Sequence, residues 1–361
     1  DWPVYRGDNA RSGATRSRVP AELALAWRAQ LATLPSPPVI AEGKVFVADV
    51  HAHALLALDA ADGRALWRFQ AGGRIDTPPA VYRGLVLFGA RDGWAYCLRA
   101  SDGALVWRFK DLPDKTICAF GQLESAWPVS GAILVAPAAD DRRRPIAYFA
   151  AGRSSFLDGG IFLYAVDAET GETIHSRRIY GPFDKDGFPE TVKGVSTAGK
   201  GPFKADIFVG EAERWRGAGG RLYMRHRAFN LDLSDAGEAA PHLIPSAGFL
   251  DATPQHRTYW TIGASYSVSL DSRPSGDILV MNDETFFEAR GFPVRRYSYF
   301  DPRVKGYKLF AGPLAAVNAD GAAARRGETA ASAEAAQEAA EENLALEPIA
   351  DVRFHQAVYR R

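Results

Sequence analysis

The sequence predicts an all-β fold: a β-propeller of four-stranded blades carrying one Ala/Glu-rich helical insertion. Three observations predict it. Residues 56–73, LALDAADGRALWRFQAGG, are echoed by YCLRASDGALVWRFKDLP at 96–113, with Asp62 and Asp102 separated by 40 positions and Trp67 and Trp107 by the same 40. The echo extends upstream: SPPVIAEGKVFVADVHAHALLALDAADGRALW lies over TPPAVYRGLVLFGARDGWAYCLRASDGALVW, apart from one position gained before the second Asp-Gly. A looser third copy runs from AWPVSGAILV through AGRSSFLDGGIFLYAVDAETGETIH, where Thr170-Gly171 replaces Asp-Gly and His175 takes the Trp position. A strand-rich period of about 40 residues is the signature of a propeller blade.

Each copy divides into four short strands. A Pro-Pro-Val or Trp-Pro-Val step opens the innermost strand, at Pro38, Pro79 and Pro128, and KVFVA or LVLFG forms the second. AHALLALD or GWAYCLRA forms the third; the turn at Gly63, Gly103 or Gly171 follows, and ALWRF or LVWRF forms the outer strand. Such turns need a residue at positive φ, which glycine supplies without steric cost. Trp67 and Trp107 then sit where a large ring can bridge to the next blade. Units of this kind cannot bury their faces alone, so stacking around a ring supplies the core.

The repeats at 31–180 are the clearest, within a single propeller domain expected to span 1–361. Beyond 180 the copies fade: second strands are expected near Ile207 and Ile278, and a hairpin turn at Asn282-Asp283. YKLFAGPLAAV reads as one more hairpin element. A ring of seven or eight blades is expected, with fewer blades or an incomplete ring as the alternative. Closure is expected to use the segment around LALAWRA or another chain. Residues 327–348, rich in Ala and Glu, read as a helix with Thr329 as cap and Pro348 as stop, an insertion or docking arm.

Lys+Arg and Asp+Glu both number 43, so the formal charge is zero, which argues against a nucleic-acid or anionic-membrane surface as the main business. No apolar run approaches the roughly 18 residues of a membrane-spanning helix. The abrupt start at DWPVYRGDN reads as a chain whose targeting segment has been removed. Cys97 and Cys118 form neither an adjacent nor a Cys-x-x-Cys pair, and read as free thiols or, in an oxidising compartment, as a disulfide.

The unit Asp-x-x-Asp-Gly-x-x-x-Trp at Asp59–Trp67 resembles the repeat of the pyrroloquinoline-quinone-like (PQQ-like) propellers. That family includes quinoprotein alcohol dehydrogenases and the propeller lipoprotein of the outer-membrane barrel-assembly machinery. DWPVYRGDNARSGAT, FGQLESAWPV, AGRSSFLDGGIFLYAVD and GFLDATPQHRTYWTIG further resemble a little-characterised bacterial subgroup associated with planctomycete-like bacteria. The resemblance implies an extracytoplasmic propeller, in the periplasm, in the cell envelope or secreted. It does not imply a reaction, because one fold hosts many functions. Quinoprotein dehydrogenases hold their cofactor against two adjacent, disulfide-linked cysteines. This chain has no Cys-Cys, which argues against PQQ.

Two clusters are candidate sites. Asp76, Glu124 and Trp127 lie just upstream of inner strands, at the expected channel mouth, and a carboxylate pair there could take Ca²⁺ or a sugar hydroxyl, or cap turns. Arg153 and Asp158, in GRSSFLDGG, read as a ligand loop or an Arg–Asp clamp of the hairpin. Arg225, His226, His256, Arg257, Tyr259 and Trp260 form an Arg/His/aromatic set that suits an anionic saccharide or, equally, a buried network. His51 and His53, with Asp49, have the two-apart spacing of metal ligands on an extended segment, but lack a third ligand nearby; no metal site is assigned. Three functions follow: a non-catalytic scaffold or ligand-binding module that meets other proteins of an envelope assembly, a carbohydrate-active or sugar-binding propeller, and a degenerate quinoprotein oxidoreductase.

Overall fold

The computed structural model describes residues 1–136 except 16, 19, 21 and 120, 144–183 except 182, 203–211 except 204, 220–245, 260–264, 274–292 except 277, 306–314, 317, and 347–352. The described residues form a nearly all-β propeller. Sheet one holds β1 (Val39–Ala41), β2 (Lys44–Asp49), β3 (Ala54–Asp59) and β4 (Ala65–Gln70) in sequential antiparallel order. Sheet two repeats the order with β5 (Ala80–Tyr82), β6 (Leu85–Gly89), β7 (Ala95–Arg99) and β8 (Leu105–Phe109). A separate hairpin, β9 (Thr116–Ala119) and β10 (Gln122–Ser125), precedes sheet three: β11 (Val129–Ala136), β12 (Ile146–Ala151), β13 (Ile161–Asp167) and β14 (Thr173–Ile179).

Sheets four and five have three described strands each. They are β15 (Val209–Gly210), β16 (Leu222–Met224) and β17 (Arg227–Phe229), then β18 (His242–Pro245), β19 (Trp260–Gly263) and β20 (Ser275–Gly276). Sheet six has four: β21 (Ile278–Met281), β22 (Thr285–Phe292), β23 (Gly306–Pro313) and β24 (Glu347–Val352). Ile207 and Ile278 therefore lie beside or within first strands, not the second strands expected from sequence. The expected turn at Asn282-Asp283 does join β21 to β22, with Asn282 Oδ1 accepting the N–H groups of Glu284 and Thr285 at 2.9 and 2.7 Å. Of the expected helix, 327–346 lie outside the described residues, and Glu347 and Pro348 open β24. Proline is tolerated there because β24 is an outer strand and Pro348 sits beside a register shift.

The blade seams explain the repeat unit. Trp67 of sheet one donates its indole N–H to Ala100 O of sheet two at 3.0 Å, and Trp107 of sheet two donates to Ala168 O of sheet three at 3.1 Å. A Cβ on Gly103 would stand 2.7 Å from the Trp67 ring, and one on Gly171 2.9 Å from the Trp107 ring. Each turn glycine thus serves twice, supplying positive φ and leaving a flat seat for the preceding blade's indole. Trp27 makes the same contact on sheet one, donating to Ala60 O at 3.0 Å with its ring against Gly63. The LALAWRA segment therefore occupies an outer-strand position ahead of sheet one. His175 is exposed and does not seal its seam. Arg177 replaces it, donating to Leu233 O at 2.8 Å, while Tyr148 OH donates to Leu231 O at 2.9 Å.

Residues 2–13 organise the centre. Trp2 pairs with Ile40 of β1, and Pro3 O accepts Val81 N–H of β5 at 2.8 Å. Asn9 donates to Val135 O of β11 at 2.8 Å, and its own carbonyl accepts Gly210 N–H of β15 at 2.7 Å. Ser12 O accepts Met281 N–H of β21 at 2.9 Å, and Tyr5 packs on Trp260 of β19 at 6.4 Å between centroids. A dozen residues span at most about 40 Å, so one such segment touches the first strands of five sheets and the middle strand of sheet five only if the sheets converge around it. Arg11 is fully buried and donates to Tyr5 O at 3.1 Å, with longer bonds to Phe208 O, Ala132 O and Ile133 O. Burial pushes its guanidinium pKa down to about 10, so it stays charged at neutral pH. Those carbonyls need its protons.

Candidate functional site

The channel-mouth residues expected from sequence come together. Asp76 sits in the loop entering β5, Glu124 on β10, and two arginines join them. Arg74 Nε lies 2.8 Å from Asp76 Oδ1, and Arg74 Nη2 lies 3.1 Å from Glu124 Oε1. Arg91, from the β6–β7 turn, pairs with Asp76 through Nε and with Glu124 Oε2 through Nη1 at 3.6 Å. All four side chains are less than a tenth exposed. The result is a closed, charge-neutral ring of two guanidinium and two carboxylate groups. Desolvation pushes the Glu124 carboxyl up, opposed by Arg91 and Arg74.

Beside this ring lies a second cluster. Asp158 Oδ1 meets Lys115 Nζ at 2.8 Å, and Asp158 Oδ2 meets Arg153 Nη2 at 2.5 Å. Asp158 has a φ of 50°, and its carbonyl accepts the Trp127 indole N–H at 2.8 Å. The hydrogen bond from Lys115, with that from Arg153, holds the Asp158 carboxyl below the usual carboxylate range. The Arg153 charge also favours the Glu124 carboxylate, which ties the two clusters together. Asp76, Glu124, Trp127, Arg153 and Asp158 thus occupy one region, and each has an internal polar partner. Sequence reasoning missed Arg74, Arg91 and Lys115; the only local signal was the R-x-D spacing of Arg74 and Asp76.

The Arg/His/aromatic set divides. Arg225 and His226 form the β16–β17 turn, with Arg225 at a φ of 54° and its Nε 3.6 Å from the buried Asp206 Oδ2. His226 packs edge-on against Phe203 at 5.6 Å, and burial lowers its pKa. Trp260 faces the axial segment instead, under the guanidinium of Arg6 at 5.0 Å. His256, Arg257 and Tyr259 lie outside the described residues. A histidine not singled out earlier, His242, stacks on Tyr223 at 4.1 Å, with Nδ1 2.8 Å from Ala240 O and Nε2 2.5 Å from Arg225 O.

The expected extended segment bearing His51 and His53 is instead a 3₁₀ turn, Val50–Ala52, followed by His53 at a φ of 54°. His53 reaches Gln122 of the β9–β10 hairpin at 3.3 Å, and Asp49 is spent accepting the N–H groups of Ala32 and Thr33. Among the described residues no group of three or more His, Cys, Asp or Glu side chains is placed to hold a metal ion. No described helix is long and apolar enough to cross a membrane.

Comparison with known proteins places these features. The chain is 27% identical over 177 residues to a 1-butanol dehydrogenase (quinone) of Thauera butanivorans, covering 46% of this chain and 27% of that protein. It thus spans about a quarter of the length of the curated relative it matches. Among solved structures, BamB of Moraxella catarrhalis is similar at 17% identity and a TM-score of 0.40, covering 73% of this chain and 72% of that one. Quinohemoprotein alcohol dehydrogenase ADHIIG of Pseudomonas putida HK5 is similar at 16% identity and a TM-score of 0.46, covering 79% and 46%. The corresponding enzyme of Comamonas testosteroni has 22% identity and a TM-score of 0.38, covering 52% and 28%. Residues 6–188, half of the chain, match the family model described as outer membrane protein assembly factor BamB, and the chain belongs to that PQQ-like β-propeller family.

Proposed function

We propose that this chain is a non-catalytic propeller acting as a protein-interaction scaffold in an extracytoplasmic assembly. One observation carries the reading: the axis, where a propeller would receive a small ligand, is occupied by the chain's own residues 2–13, bonded to inner strands around the ring. The mouth supports it further, since its carboxylates are turned to guanidinium groups and not toward an open cation position. Recognition then falls to the rims.

The cofactor of the quinoprotein relatives does not fit these residues. Cys97 is buried in the seam between sheets two and three, its Sγ 3.9 Å from Ala168 O, and burial pushes its thiol up to about 12. Cys118 is exposed on β9. Two thiols on different sheets cannot form the ring of adjacent cysteines that family members use. The test has two arms. Native mass spectrometry of material from its own source should show a stoichiometric protein partner. Reconstitution with pyrroloquinoline quinone and Ca²⁺ should give no alcohol-dependent dye reduction. Turnover in the second arm would end the scaffold reading.

A further inference from the structure

We propose that the rim built by the β9–β10 hairpin, the 152–160 loop and the end of β14 is a docking surface for an acidic protein segment with apolar anchors. The inference rests on the scaffold reading and names the chemistry of the partner.

Three large apolar side chains stand out from this rim: Leu123 is 73% exposed, Leu157 49% and Tyr180 52%. The hairpin base, the loop and the strand end that carry them are joined by direct contacts. Lys115, at the hairpin base, reaches Asp158 in the loop, and the neighbouring Gly159 O accepts Arg178 Nε from β14 at 2.5 Å. Gly181 N–H donates to Ser155 O at 2.9 Å, closing the loop against the strand end. Tyr180 is held in place before any partner arrives: Phe183 backs it at 4.6 Å, Phe156 backs Phe183 at 5.4 Å, and the Arg178 guanidinium lies 4.6 Å over its ring. An ordered aromatic beside an arginine is the composition of interface hot spots, because little side-chain entropy is lost on binding.

The sign of the partner follows from the charges. Lys115, Arg153 and Arg178 bring three cations, against Asp158, whose two oxygens are already taken by Lys115 and Arg153. The nearby Asp114 is engaged by Lys110. The rim is therefore locally cationic on a chain whose formal net charge is zero, and it attracts carboxylates at short range without a long-range field. A segment with Leu or aromatic anchors flanked by Asp or Glu fits both features.

The experiment selects a displayed random 12-residue peptide library on the full chain. The strongest synthetic peptide is then titrated against wild type, Leu123→Ser/Leu157→Ser/Tyr180→Ser, and Lys115→Glu/Arg178→Glu. The expected result is an acidic, apolar consensus, at least tenfold weaker binding to either variant, and weaker binding to wild type at high salt. Urea midpoints of both variants near wild type would show that the surface alone had changed. Absence of a consensus, a basic consensus, or equal binding to the variants overturns the proposal. So does variant-sensitive co-sedimentation with phosphatidylcholine vesicles containing one quarter phosphatidylserine, which would make the rim a lipid surface. Variant-sensitive self-association in velocity sedimentation would make it an interface between copies and overturn it equally. If a co-purifying partner survives these mutations, this rim fails and the scaffold reading stands; cofactor-dependent turnover would remove the reading itself.

Discussion

Four charged side chains meet in the Arg74–Asp76–Arg91–Glu124 ring, and their burial makes each depend on the others. Removing one partner of a buried pair strands the remaining charge, at a cost of about 3–5 kcal/mol. Glu124→Gln should therefore lower stability by an amount in that range, measured as the urea unfolding free energy. Replacing Arg91 and Glu124 together by apolar residues should cost less than the two single changes combined. Burial lowers the His242 pKa. Its folded value lies below the unfolded value of about 6.5, so its contribution is present above that pH and lost as pH falls below it. The wild type should lose stability as pH falls below about 6.5. His242→Gln should flatten that slope even if it lowers the plateau; an unchanged slope would exclude His242 as its source. Asp76 and Glu124 were legible as carboxylates upstream of inner strands. Arg91 was not, because its partners lie 15 and 33 positions away, and Arg74 showed only its two-residue spacing from Asp76, which does not disclose the bond to Glu124.

The turn glycines and indoles act at the scale of the blade. Gly84 and Gly103 both have positive φ, but a Cβ on Gly84 would meet nothing within 4 Å, whereas one on Gly103 would strike the Trp67 ring. Gly84→Ala should cost about 1–2 kcal/mol for the left-handed backbone alone, and Gly103→Ala more, since the indole must also move. Equal melting-temperature losses would refute the double role of Gly103. Trp107→Ala, at a buried seam, should cost about 3–5 kcal/mol. The first three blades were readable because this unit recurs with fixed local spacing. In the later ones Ile207 and Ile278 fall at first strands, and β15 and β20, two residues each, are too short to display a period of two.

At the scale of the molecule, the decisive element is the one the repeat pattern could not disclose. Residues 2–13 contain no strand period, and their partners lie on sheets separated by hundreds of positions. Arg11 is their anchor. Arg11→Met keeps an aliphatic stem but leaves the carbonyls of Tyr5, Ala132, Ile133 and Phe208 without their donor, and each buried unmade bond costs about 1–3 kcal/mol. The variant should unfold in separated steps when urea titration is followed by near-ultraviolet and far-ultraviolet circular dichroism, where the wild type gives coincident curves. Coincident curves from the variant would mean that the seams alone enforce cooperativity.

The axial segment also sets an order of events in time. Arg6 donates to Leu279 O, a partner 273 positions away. In synthesis from the N-terminus, the residues that hold the six sheets together emerge before any of those sheets, yet acquire their last partners only after β21 has been made. Until then the paired seams between early blades form by local contacts, while the hub stays unsatisfied in water. Completion of the hub is a late step of high contact order, and folding of this kind is slow.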